Sequence, residues 1–140
     1  MQLNMVVHRV FHAQKNWVRP KMTEIGFSPG QPKVLNYIYY HDRCMQREVA
    51  DALDIEPATV SRILNNMVKS GLVERSALAP RKRAESLSVT EKGAELFEKW
   101  KTLCSEYELM ALQGFSEAER LQLAGFLGRV YQNITGKTLE

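Results

Sequence analysis

Residues 46–65 constrain the fold of this chain more than any other stretch. A short helix is predicted from Gln46 to Leu53 and a longer one over residues 57–70, with a tight turn between them. Val49, Leu53, Ile55, Val60 and Ile63 supply the apolar contacts that lock two helices at a steep angle, and Ala50 is small where they cross. Asp54 stands at the turn position that often adopts a left-handed backbone, where Gly is usual and Asp or Asn is tolerated. The pattern is that of a helix-turn-helix. A plain helical hairpin with a polar face fits the same spacing, so the residues that follow decide between the two.

Gly71 sits where a left-handed helix stop belongs. Beyond it, Leu72 and Val73, then Leu87 and Val89, predict two short strands around the polar stretch 76–86, whose tip carries Arg81-Lys82-Arg83. A helix-turn-helix followed at once by a hairpin with a cationic tip is a winged helix. Its second helix can enter a major groove while the wing reaches the backbone or the neighbouring minor groove, where negative potential is enhanced.

The flanks are helical. Leu3, Val6, Val7, Val10, Phe11, Trp17, Val18, Met22 and Ile25 recur at three- and four-residue steps, predicting a first helix over residues 3–25. Ser28 is placed to cap the second helix, with Pro29 in its first turn and Gln31 completing a capping box. That helix carries Val34, Leu35, Tyr37, Ile38 and Tyr39 and ends at the polar break 41–44. From Glu91 the helical period returns with Leu96, Phe97, Trp100, Leu103, Cys104, Tyr107 and Met110, until Gly114. Ser116-Glu117-Ala118-Glu119 forms a second capping box ahead of Leu121, Ala124, Leu127, Val130, Tyr131 and Ile134. The predicted class is mainly α with a small β-hairpin wing (α+β), a winged helix-turn-helix flanked by N- and C-terminal helices.

Taken together, these motifs resemble the MarR family of bacterial transcriptional regulators (multiple-antibiotic-resistance type). The resemblance spans nearly the whole chain and includes the Lys69-Ser70-Gly71-Leu72-Val73 turn and the Leu87-Ser88-Val89-Thr90-Glu91-Lys92-Gly93 exit from the wing. It implies a DNA-binding domain over residues 31–90, and a helical dimerisation region from residues 1–30 and 91–140 in which two chains interlace. It further implies a homodimer on a palindromic operator in double-stranded DNA. The apolar faces of the terminal helices exceed what one winged helix covers, which also calls for a second copy. One departure concerns the wing. The family's wing carries an Asp two residues before an Arg; here Arg83 takes the Arg place and Arg81 the Asp place, leaving Glu85 as a candidate orienting carboxylate.

Composition agrees with one domain of this kind. The chain has 140 residues, 44% hydrophobic and 25% charged, the range of a single globular domain rather than a disordered tail or multidomain enzyme. No apolar run approaches the roughly 18 residues a membrane span needs, and residues 1–10 lack the pattern of a secretory signal. With two cysteines sixty residues apart and no CxxC, the expectation is a reduced, cytoplasmic protein. Residues 1–30 carry a charge of +3, residues 31–90 of +2, and residues 91–140 of −2, so a basic face belongs to the first ninety residues.

Chemistry assigns roles within the DNA-binding region. Thr59, Ser61, Arg62, Asn65 and Asn66 lie on the recognition helix, and Ser, Thr, Asn and Arg side chains read base edges or bond phosphates. Thr59 and Arg62 share one face; Ser61 and Asn65 share another. Gln46 and Arg47 open the preceding helix, where backbone N–H groups and a cation suit phosphate. Arg81, Lys82 and Arg83 are expected to act through backbone or minor-groove electrostatics. A solvated polar face is the alternative for each.

Sensing is less specified. Regulators of this family usually respond to a ligand, oxidant or metal, and an aromatic cluster of Phe11, His12, Trp17, Tyr37 and Tyr40, with Tyr39 nearby, marks a candidate site for an aromatic or lipophilic effector. Packing of the hinge and dimer core explains the same residues. His8 and His12 have the i, i+4 spacing of two metal ligands, with His41 and Cys44 as further candidates, although no four-ligand motif is continuous. Cys44 beside Arg43 is a candidate thiol of lowered pKa, and Cys104 is expected in the core.

Three classes of function compete for a sequence of this kind. An enzyme has little support, since GxGxxG, phosphate-loop, HExxH and GxSxG motifs are absent from the sequence and no cofactor is expected. A winged-helix protein-interaction module is opposed by the cations beside a polar recognition helix. A DNA-binding repressor released by a small effector fits best, with metal- or redox-responsive regulation on the same fold as the alternative.

Overall fold

A computed structural model describes residues 1–77 and 85–139. Six helices and one hairpin follow in the order α1 (Leu3–Ile25), α2 (Gln31–Tyr40), α3 (Gln46–Ala52), α4 (Pro57–Lys69), β1 (Val73–Ala77), β2 (Glu85–Val89), α5 (Glu91–Ala111) and α6 (Glu117–Thr135). The predicted mainly helical class with a two-stranded wing is the one found. The chain divides into two compact units, Met1–Leu103 and Cys104–Glu140, with α1 in the same unit as the winged helix.

The core of the first unit gathers Val34, Leu35 and Ile38 from α2, Val49 from α3, Val60, Leu64 and Met67 from α4, and Phe97 from α5. Residues 60, 63, 64 and 67 form the inward stripe of α4, as helical periodicity requires. Leu72, Val73 and Leu87 close the core from the hairpin side. β1 and β2 pair antiparallel, with Val73 opposite Val89 and Arg75 opposite Leu87. A third short edge adds to β2: Arg43 N–H donates to the Leu87 carbonyl at 2.9 Å, and Leu87 N–H to the Cys44 carbonyl at 2.8 Å.

Turn chemistry carries the connections. Asp54 has φ 54° in the helix-turn-helix turn, and Gly71 has φ 75° at the stop after α4, both left-handed as expected. The start of α2 differs from expectation. Ser28 does not cap it and Pro29 is not in its first turn; Gly30, at φ 85°, is the capping residue and Pro32 enters the first turn. A Cβ on Gly30 would stand 2.9 Å from Ile63 Cδ1, so this left-handed position packed against α4 suits glycine. Half of the expected box survives, since Ser28 N–H donates to the buried Gln31 Oε1 at 3.0 Å.

In the second unit, Ser116 Oγ accepts from Glu119 N–H at 3.1 Å while Glu119 Oε2 accepts from Ser116 N–H at 2.8 Å, completing the predicted box. α6 has no buried residue, and Leu121 and Ile134 are 70% and 77% exposed. α1 likewise buries only Met22, leaving Leu3, Val7, Val10 and Phe11 exposed. Among the described residues, no helix is long and apolar enough to cross a membrane.

Candidate nucleic-acid interface

The inward stripe of α4 fixes what its other face presents. With Val60, Ile63, Leu64 and Met67 buried, Arg62, Asn65, Asn66 and Lys69 are exposed. Thr59 and Ser61 are half-buried, so each of the two faces expected from spacing pairs a half-buried residue with an exposed one, Arg62 or Asn65. Pro57 opens the helix, as suits a residue without an N–H to leave unpaired.

At the start of α3, Arg47 is exposed and Gln46 is half-buried. Gln46 is held by a residue that the sequence reading did not select. Arg75 on β1 donates from Nη1 to Gln46 Oε1 at 3.1 Å and from Nη2 to Asn65 Oδ1 at 2.9 Å. Nη1 also faces Glu85 Oε2 at 3.5 Å. One guanidinium thus joins the first helix of the motif, the recognition helix and both strands of the wing. Glu85, considered above as a partner for the wing-tip Arg, is placed against Arg75. Arg81, Lys82 and Arg83 lie outside the described residues. The signal for Arg75 was its place two residues after Val73, on the same face of a predicted strand, but its partners are 29 and 10 residues away.

The wing is anchored at its exit. Thr90 Oγ1 donates to the Gly71 carbonyl at 2.5 Å and accepts from Gly93 N–H at 3.0 Å. Lys92 Nζ donates to the Ser70 carbonyl at 2.8 Å, supplying the cation that suits a helix C-terminus. The end of α4 and the beginning of α5 are clasped together.

The candidate effector residues do not form one cluster. Phe11 lines a cleft of about 330 Å³ whose apolar wall also includes Val18, Met22, Pro32 and Trp100, with Lys15, Arg19 and Lys33 among its lining. Among the described residues, no acidic side chain lines it. His12, Trp17, Tyr37 and Tyr40 lie outside that lining. His12 stacks with His8 at a ring-centroid distance of 6.3 Å, and Lys21 Nζ lies 4.1 Å from the Trp17 ring centroid. Tyr37 stacks on His41 at 4.0 Å, and Tyr40 meets buried Phe97 edge-on at 5.8 Å.

Among the described residues, no three His, Cys, Asp or Glu side chains come together as a metal site. Cys44 corrects an expectation. Instead of a thiol made acidic by Arg43, it is buried, and its pKa is pushed up to about 11, first by desolvation and then by the Glu48 carboxylate. Cys104, expected in the core, is exposed in the single chain, although its place seven residues after buried Phe97 puts the two on one face of α5.

Comparison with known proteins agrees with this geometry. A model of the MarR family matches residues 25–84. The HTH-type transcriptional regulator BilQ of Clostridium symbiosum is 30% identical over 122 residues, covering 87% of this chain and 81% of that protein. A MarR family transcriptional regulator from Listeria monocytogenes, solved in complex with 26mer DNA, superposes with a TM-score of 0.89 at 27% identity, over 96% of this chain and 89% of that one. The transcriptional regulator SlyA has the same fold, with a TM-score of 0.89 at 22% identity over 96% and 94% of the two chains. With the helix-turn-helix, the hairpin and the terminal helices all accounted for, the chain belongs to the MarR family of transcriptional regulators.

Proposed function

We propose that the chain works as a homodimeric, sequence-specific DNA-binding repressor on a palindromic operator in the cytoplasm. The observation that carries this reading is the exposed polar face of α4, Arg62, Asn65, Asn66 and Lys69, backed by a fully apolar stripe and tied to the wing through Arg75. An α-helix of this kind fits a major groove, and the cations of residues 81–83 extend the contact to the phosphates. The DNA-bound Listeria relative supports the same use of the fold. Dimerisation is supported by the apolar side chains left exposed along α1 and α6, which a second copy would cover.

Release belongs to the cleft beside Phe11. Apolar walls together with Lys15, Arg19 and Lys33, and no lining acid among the described residues, suit an amphipathic anion such as an aromatic carboxylate. Gly30 lines this cleft and touches Ile63 of the recognition helix, so occupancy bears on the reading head.

The test is selection of bound duplexes from a random pool, followed by titration of the winner at two salt concentrations. A palindrome with half-sites about one helical turn apart and a steep salt slope is expected. No enrichment of any duplex overturns the reading. For the effector, titrating 1-naphthoate into a Trp17→Phe variant should change Trp100 fluorescence and weaken operator binding. No change in either rejects the cleft.

A further inference from the structure

We propose that Arg75 is a positioning residue that sets the hydrogen-bonding polarity of the DNA-reading surface. The proposal rests on the DNA-binding reading above and concerns what Gln46 and Asn65 present there.

The chemistry begins with the guanidinium, which has five donors and no acceptor. An amide side chain facing it must turn its oxygen inward, and the distances are 3.1 Å for Gln46 Oε1 and 2.9 Å for Asn65 Oδ1. Each amide therefore keeps its nitrogen, with two N–H donors, for whatever approaches the surface. An unconstrained Asn or Gln can rotate its amide and present either a donor or an acceptor. It can also present both at once, as in the bidentate contact to adenine N6 and N7. Arg75 removes that ambiguity by holding both oxygens.

The guanidinium is itself fixed. Its side chain is only 25% exposed, and Glu85 faces it at 3.5 Å, opposing any swing towards the DNA. Strand pairing places Arg75 opposite buried Leu87, so the backbone beneath it is part of the wing. Arg75 acts through Gln46 and Asn65 rather than by contact of its own.

The ligand chemistry follows. Gln46 and Asn65 meet hydrogen-bond acceptors on duplex DNA. Those acceptors are phosphate oxygens or the acceptor edges of bases, guanine O6 and N7 and thymine O4 in the major groove. Gln46 opens α3, the helix that crosses the backbone in a helix-turn-helix, and Asn65 lies on the exposed face of α4.

The experiment compares wild type with Asn65→Asp, Asn65→Ala, Arg75→Met and Arg75→Lys, measuring duplex selection, operator affinity and thermal stability for each. Asn65→Asp improves the pairing with Arg75 but replaces the outward donor by an acceptor. It is expected to keep or raise the melting temperature while lowering affinity roughly tenfold or more. Equal affinity at raised stability would mean that the pair is only structural and would overturn the proposal. In the Asn65→Ala variant, a preference lost at one base pair per half-site identifies a base edge. A uniform loss across duplexes identifies a phosphate.

Arg75→Met frees both amides and is expected to weaken binding, with Arg75→Lys recovering part of the loss. In a Gln46→Ala, Asn65→Ala background the same Arg75→Met change should cost nothing further. A full additional loss would mean that Arg75 contacts DNA itself, and the proposal would fall. If wild type enriches no duplex, the DNA-binding reading fails and takes this proposal with it. If wild type enriches and the variants retain its affinity and preferences, only the polarity proposal fails.

Discussion

Thr90 and Gly93 form a two-bond joint on which the wing and α5 both depend. The Thr90 hydroxyl accepts from the Gly93 amide at 3.0 Å while donating to the Gly71 carbonyl, and a Cβ on Gly93 would collide with the Leu72 carbonyl oxygen. The helix cap and the close approach are parts of one geometry. Thr90→Val keeps the shape and removes the hydroxyl, and is expected to lower stability by about 1 kcal/mol, the usual worth of a cap. Gly93→Ala should cost about 1–3 kcal/mol by overpacking against backbone that has little room to move. Urea unfolding of the two variants checks both, and a neutral Gly93→Ala would contradict the close contact.

Arg62 lies exposed on α4 and opposite the buried stripe. Arg62→Ala is expected to weaken operator binding by roughly ten- to a hundredfold, the range of a lost bidentate base contact. Sedimentation should show the oligomer unchanged. Wild-type affinity in this variant would displace the recognition face from the side of α4 assigned here.

Replacing Arg81, Lys82 and Arg83 together by Ala addresses the basic tip seen in the sequence. Binding to all duplexes should weaken, and the slope of log affinity against log salt should become shallower by about 2 to 3, since each neutralised phosphate contributes about 0.9. An unchanged slope would remove the wing tip from the phosphate contacts.

Cys44 gives a pH dependence with a defined sign. Its folded pKa of about 11 lies above the ordinary 9.0, raised first by burial and then by Glu48. Stability from the protonated thiol is fully present below pH 9. It is lost as pH rises from 9 to 11, because the unfolded chain gives up the proton first. The difference in unfolding free energy between wild type and Cys44→Ala should therefore shrink over that window, by up to about 3 kcal/mol. Alkylation of the native protein at pH 8 should leave Cys44 unmodified until denaturant is added.

The local elements of this protein were readable from its residues because they rest on interactions within a few positions of one another. The inward stripe of α4, the left-handed turns at Asp54 and Gly71, and the Ser116–Glu119 box each concern a helix period or a cap. Their order along the chain sufficed for the winged helix, and hence for the class of partner. Tertiary packing decided the rest. The start of α2 lies at Gly30, whose left-handed backbone packs against Ile63, and Cys44 is buried, its thiol held protonated, where its backbone pairs with Leu87. Arg75 acquired Gln46, Asn65 and Glu85 as partners only when four segments met. Helical period and capping chemistry are written within one turn of chain, whereas the environment of a side chain is set by which distant segments fold against it.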